Sequence, residues 1–339
     1  MPVYSVNPSV KLQPRLQSNG IYNTFVGDAT GIMPVSEGSG MDQLACIGIG
    51  SNAIRLLIAR VEGGRLCAVR RERRGTRLFA GLVGGMLTQQ SIQSSVEAVA
   101  ELAKLARESG AREIFVFATS AVRDARNGLT FTERAEAASG ARVEIISGEE
   151  EAVLSYIGAS EGGSCGVIDI GGGSTEFTLG EESHILGAVS LQMGAVRMNG
   201  QQPIESREDY RATVERCQAL ISRDAQALLA LPSRAVWIGV GGTMTTLGAM
   251  QRRVPLFGLG DCEGMRITLG EVSAWGDRLA TLSIPQRRKI VGLMPQRADI
   301  IPSGVAILEA AMRSFGIATM TLSAHGNMDG YLKRRFGCR

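Results

Sequence analysis

Histidine is scarce in this chain, with only His184 and His325, and the six cysteines include no Cys-x-x-Cys pair. That spacing argues against a zinc site and a disulfide framework, and predicts free thiols in a reducing compartment, a cytoplasm. With two imidazoles a two-histidine metal site is disfavoured, and a general base is expected to be a carboxylate. No apolar run approaches the ~18 residues of a membrane helix, and the first residues lack the charged head and apolar core of a signal peptide. The net charge is only +3 over 339 residues. The global balance therefore calls for neither nucleic acid nor a membrane surface as partner, and any polyanion site must be local.

What is present suffices for two ordinary cores: 44% hydrophobic residues and a mean hydropathy of +0.07. Residues 1–40, rich in Ser, Gly, Asn and Pro without a sustained period, read as a poorly ordered extension. From Leu44 onward strands alternate with helices, which gives an α/β class. A Thr start, apolar residues at Ile92, Val96, Val99, Leu102 and Leu105, and Gly110 predict one helix; another is expected from about Glu208 to Leu229. Two hairpin openings, one per half, predict two domains of similar plan across a cleft: 41–160 and 161–317, with 318–339 returning to the first.

The hairpins share an outline. Ile47-Gly48-Ile49-Gly50-Ser51-Asn52-Ala53 corresponds to Ile168-Asp169-Ile170-Gly171-Gly172-Gly173-Ser174. Glycine turns of this kind bring backbone N–H groups close to phosphate oxygens, and hydroxyls add donors. A third turn, Gly239 to Thr246, joins a strand to a helix N-terminus, where an anion is favoured. Asp169 ends a buried strand, where a carboxylate needs donors or a cation, and Mg²⁺ shared with phosphate is the natural partner. Glu176, on the outgoing strand, suits a metal-linked or a structural role. Glu149, Glu150 and Glu151 open a helix, where acids suit the dipole, yet they point in different directions and at least one is expected to face the cleft. Arg123 and Arg126 could bind phosphate bidentately or pair with Asp124 or Glu150. The run "RRERRGTR" reads as a solvated strand face rather than a site.

Together "IGSNAIRLLIA", "ATSAVRDARN", "EIISGEEEA", "DIGGGSTE", "LQMGAVRM", "GVGGTMTTL" and "MPQRADIIPSG" resemble the exopolyphosphatase and guanosine pentaphosphate phosphatase (Ppx/GppA) family of the actin-like ATPase superfamily. The resemblance runs from about Leu44 to Leu332 and implies two ribonuclease-H-like domains facing a central cleft. It implies Mg²⁺-dependent release of terminal phosphate from polyphosphate or the guanosine alarmone. It places the general base on Glu151, with Glu150 beside it, and phosphate or metal contacts on Asp169, Gly171, Gly172, Gly173, Ser174 and Glu176. Arg123 falls on the family's arginine, Ser51 and Asn52 on its first turn, and Gly241, Gly242 and Thr243 on its last. The extra C-terminal domains of long exopolyphosphatases are not expected, and a homodimer is compatible with the pattern.

Two motifs depart from the family. Its opening Asp-x-Gly-Ser-Asn reads here Gly48-Ile49-Gly50-Ser51-Asn52, without the carboxylate. Its C-terminal Ser-Asp-x-Gly-Leu-Arg-Glu-Gly reads "SAHGNMDG", with Ala324, Asn327, Met328 and Asp329 at the changed sites. These losses leave a second reading, a weakly catalytic polyphosphate or alarmone sensor. A kinase of the same superfamily fits the fold but not the Glu151 motif. On sequence alone, restoring an acid at Gly48 is expected to tighten Mg²⁺ binding.

Overall fold

A computed structural model describes residues 43–161, 163–182, 184–231, 236–254 and 262–338. The expected extension, residues 1–40, lies outside them.

Both halves open with a hairpin. In the first half β1 (Gln43–Ile49), β2 (Ile54–Glu62) and β3 (Arg65–Arg74) run antiparallel, and a short ribbon of β4 (Leu82–Val83) and β5 (Met86–Leu87) follows. Helix α1 (Gln89–Glu108) starts where the Thr88 hydroxyl accepts from the Ser91 N–H and turns off before Gly110. Then come β6 (Ala111–Ala118), α2 (Ser120–Arg123), α3 (Gly128–Ser139), β7 (Val143–Ile145) and α4 (Gly148–Ala159). The sheet order is β3-β2-β1-β6-β7, with β6 and β7 parallel to β1.

The second half repeats the plan. Its strands are β8 (Ser164–Ile170), β9 (Thr175–Glu181), β10 (His184–Leu191), β11 (Val236–Val240), β12 (Arg266–Thr268) and β13 (Thr319–Leu322), ordered β10-β9-β8-β11-β13-β12. The helices are α5 (Ala195–Gln201), α6 (Arg207–Asp224), α7 (Gln226–Leu229), α8 (Gly242–Arg252), α9 (Leu269–Ala280), α10 (Ile284–Arg287), α11 (Ile301–Ser314) and α12 (Asn327–Phe336). The single helix expected near 208–229 is thus two, parted at Ala225.

Apolar residues alternate along β1 and β2 so that both sheet faces are covered. Ile47, Ile49 and Ile58 join a core under α1 and α3, while Cys46, Leu57 and Phe117 pack with α4 and α12 through Leu154, Met328 and Leu332. The larger core lies beneath α6, α8, α9 and α11. The return to the first half starts later than expected. β13 (319–322) joins the second sheet, pairing with β11 through Thr321 and Leu322 and with β12 through 319–321, and only α12 crosses back to lie on α4 and β1. Among the described residues no helix is long and apolar enough to cross a membrane.

Candidate active site

The two opening hairpins are built alike at the atomic level. Gly50 N–H donates to Ala53 O at 3.2 Å in the first, and Gly171 N–H to Ser174 O at 3.0 Å in the second. Both turns reach one cleft, lined also by Thr119, Ser120, Glu151, Asp169, Gly241, Gly242 and Asn327. Gly241 is held there by φ 96°, and a β-carbon on it would stand 2.6 Å from Asp169 Oδ1. No other residue allows the turn to approach that carboxylate so closely.

The charges of the two hairpins differ. In the second, Asp169 on β8 stands directly opposite Glu176 on β9. At the corresponding place in the first, Gly48 stands opposite Arg55. Asp169 is buried and accepts from Ser155 Oγ at 2.6 Å, while Glu176 accepts from Ser190 Oγ at 2.7 Å. Glu176 Oε2 is buried with no partner. Burial, then the neighbouring Glu151 and Asp169, pushes Glu176 well above the usual carboxylate range, and burial also raises Asp169.

Glu151 sits in the first turn of α4, whose start is fixed by the Ser147 hydroxyl accepting from Glu150 N–H. Its carboxylate meets Asn327 Nδ2 at 3.4 Å and Arg123 Nη1 at 3.5 Å. Burial, reinforced by the charge of Asp169, raises it to about 7, against the lowering pull of Arg123. A carboxyl poised near neutrality can take a proton from water at physiological pH.

The remaining expected residues divide. Ser51, Asn52, Gly171, Gly172, Ser174, Gly241 and Gly242 line the cleft. Ser51 Oγ and Ser120 Oγ are 2.8 Å apart, joining the first turn to the start of α2. Gly173 packs against these two hydroxyls rather than on the open wall, and buried Thr243 lies against Gly304. Glu150 does not line the cleft: it points to Arg334 on α12, whose Nη2 donates to it at 2.6 Å. Arg123 stands behind Glu151, bonded to Ile146 O at 2.9 Å, with Nη2 buried and unpartnered. Arg126 donates to Gly84 O, and Asn127 ties itself to both backbone groups of Leu87, a structural role.

The Arg-rich run requires correction. Arg70, Glu72 and Arg74 do form an exposed ion-paired face with Glu101, but Arg71 and Arg73 point the other way and line the cleft with Arg55 and Arg297. Strict alternation along β3 was the signal that separates them. Arg71 donates to Asp329 at 3.1 Å. Burial alone would raise Asp329, but the His325 hydrogen bond and the Arg71 charge hold it well below the usual range. Thr245, Arg297 and Asn327 also line the cleft; each falls within a quoted motif, but none was given a site role from the sequence.

Among the described residues no three acid, histidine or cysteine side chains come together as a ready cation cage. Asp169, with the orphaned Glu176 oxygen behind it, nevertheless fits Mg²⁺, which is commonly bound through one or two carboxylates plus substrate phosphate and water.

Two hairpin-headed sheets whose first five strands follow the same order, the second with β12 added at its edge, close on a cleft of glycine turns and buried carboxylates and define an α/β phosphate-handling protein of the actin-like ATPase fold. Residues 57–336 match the Ppx/GppA phosphatase family, and the chain belongs to it as a hydrolase. It is 32% identical over 312 residues to exopolyphosphatase 2 of Mycobacterium tuberculosis, covering 86% of this chain and 97% of that one. It is 31% identical to a guanosine-5'-triphosphate,3'-diphosphate pyrophosphatase of Aeromonas hydrophila, over 85% of this chain but 58% of the relative. The structure of an Aquifex aeolicus PPX-GPPA enzyme superimposes with a TM-score of 0.73 at 27% identity, covering 86% of this chain and 99% of that one.

Proposed function

We propose that this protein releases terminal phosphate from inorganic polyphosphate, guanosine pentaphosphate or both, with Mg²⁺. The observation that carries the reading is Glu151: a buried carboxyl raised to about 7, held by Arg123 and Asn327, in one cleft with Asp169 and the glycine turns. The terminal phosphate lies on the N–H groups of the Gly171-Gly172 and Gly241-Gly242 turns and the Ser51 and Ser174 hydroxyls. Glu151 accepts a proton from water as the new O–P bond forms and the bridging P–O bond breaks, and the shortened chain leaves with the bridging oxygen. Asp169, backed by Glu176, would hold Mg²⁺, which supplies charge neutralisation on the phosphate oxygens. The arrangement works by positioning and electrostatic stabilisation.

The sensor reading keeps one specific support: Gly48 replaces a carboxylate, and the Met328 side chain fills the space, 3.2 Å from where a β-carbon would be. Malachite-green detection of phosphate from polyphosphate, guanosine pentaphosphate and ATP, with and without Mg²⁺, separates the two. Release from a condensed phosphate that needs Mg²⁺ and Glu151 supports the hydrolase; tight binding without release supports the sensor.

A further inference from the structure

The phosphate turns of the two halves are held from behind, by side chains that do not line the cleft. In a turn that binds an anion the N–H groups face the anion and the carbonyl oxygens point away from it. Two neighbouring segments, one from each half, take up those oxygens. In the first half residues 75–81 join β3 to β4, and there Arg77 N–H donates to Asn52 O at 3.0 Å and Phe79 N–H to Ser51 O at 2.8 Å. In the second half the start of α5 does the same work. Ala195 N–H donates to Gly171 O at 3.0 Å, Val196 and Arg197 N–H to Gly172 O at 2.8 and 3.0 Å, and Arg197 Nε to Gly173 O at 2.6 Å. The two segments meet at Phe79. Its ring lies under the Arg197 guanidinium, with Cζ of Arg197 4.5 Å from the ring centroid, and packs on Ala195, Val196 and Ile300. Contacts thus run without a break from Ser51 through Phe79 and Arg197 to Gly173. Arg77 takes a left-handed backbone at φ 53°, uncommon for a residue with a side chain, and its guanidinium pairs with Asp299 of the second half.

Resting on the phosphohydrolase reading of the cleft, we infer that Phe79 is a positioning residue: seated under Arg197, it clamps the Ser51 turn of the first half to the Gly171–Gly173 turn of the second, and so sets the space in which a terminal phosphate is held. The turns leave little slack. A β-carbon on Gly172 would stand 2.9 Å from Ser51 Cβ and 3.2 Å from Val196 Cγ2, and one on Gly173 3.1 Å from Phe79 Cδ2. Arg197 adds a second tie across the halves, pairing with Asp124. A guanidinium over an aromatic face is drawn to the ring, and the ring also fills an apolar socket on α5 that a polar contact cannot fill. Without the ring the donors of both turns remain, but their alignment with Glu151 and the attacking water is loosened. A misplacement of about 1 Å can cost a rate on the order of 10²-fold.

The test joins phosphate release from tripolyphosphate in Mg²⁺ with hydrogen–deuterium exchange of the full chain in the absence of phosphate. Phe79→Ala is expected to lower kcat about tenfold or more while KM changes by less than about threefold. In the same variant the amides of 194–198, which lie in the other half, are expected to exchange faster. Phe79→Tyr keeps a ring under the guanidinium and should restore both. Leu102→Ala, in the core under α1, serves as the structural control: it should lower the melting temperature yet leave kcat and the exchange of 194–198 as in the wild type. Unchanged kcat in Phe79→Ala overturns the clamp and leaves the hydrolase reading standing. A fall in kcat that Leu102→Ala shares, or that Phe79→Tyr does not restore, also overturns it. A wild type that releases no phosphate removes the hydrolase reading; faster exchange over 194–198 in Phe79→Ala then still supports the clamp, and unchanged exchange overturns it.

Discussion

Glu151 gathers its properties from three separate stretches of chain: its own helix start, Arg123 after β6, and Asn327 at the start of α12. If it is the base, Glu151→Gln should lower kcat by about 10²–10⁴-fold with little change in substrate affinity; unchanged turnover in the phosphate-release assay would remove it from the role. Gly48 shows how a single position changes meaning once neighbours are known. Its backbone is ordinary for an L-residue, so aspartate is conformationally allowed. Its β-carbon, however, would press on Met328 Cγ and Sδ and on Phe117 Cζ at 3.2–3.3 Å, and its carboxylate would stand opposite Arg55. The expectation of a simple gain in Mg²⁺ affinity therefore changes. Gly48→Asp should cost about 1–3 kcal/mol of stability from overpacking, read as a lower thermal melting midpoint, and its carboxylate is expected to pair with Arg55 rather than to tighten Mg²⁺ binding. A variant that melts with the wild type and binds Mg²⁺ more tightly would contradict that expectation.

At the scale of elements, the hairpins, α1 and the Gly140-terminated α3 are readable from pattern and caps, since each depends on residues a few positions apart. The two faces of β3 are encoded in plain alternation too, but which face meets a cleft depends on the strand it pairs with. The close contact of α4 and α12 had no local signal at all. A β-carbon on Gly330 would lie 1.8 Å from Leu154 O and one on Gly158 2.1 Å from Gly326 O. This contact sets Asn327 beside Glu151. Gly330→Ala should lower stability by about 1–3 kcal/mol, measured as a lower urea midpoint. Gly270→Ala, where nothing lies within 4 Å, should leave the midpoint nearly unchanged. Equal midpoints for the two variants would count against the helix contact.

For the whole molecule, the halves meet through α4 and α12 and through ion pairs that bridge them, Arg197 with Asp124 and Arg77 with Asp299. Burying acids at their junction has a thermodynamic consequence. Glu151 is raised from 4.5 to about 7 in the folded state, so the folded protein binds its proton more tightly than the unfolded chain. The resulting stabilisation is fully present below about 4.3 and is lost as pH rises to about 7, on the order of 3 kcal/mol at most. In EDTA and low phosphate, thermal melting of the wild type should fall more steeply across that window than melting of Glu151→Gln. Parallel curves would show that Glu151 does not carry the raised affinity for the proton.

The order of residues by itself determined the α/β alternation, the duplicated hairpins, the three glycine turns and the family to which the chain belongs, because these are written in short spacings and in cap and turn chemistry. Tertiary structure alone decided which side chains share the cleft. It turned Glu150 outward to Arg334 and brought Arg55, Arg73 and Arg297 inward. It set Met328 over Gly48 and bound Asn327 to Glu151 across 176 positions of chain. Charge and packing act through space, so a residue's neighbours far along the chain, rather than its spacing from a motif, determine what it can do.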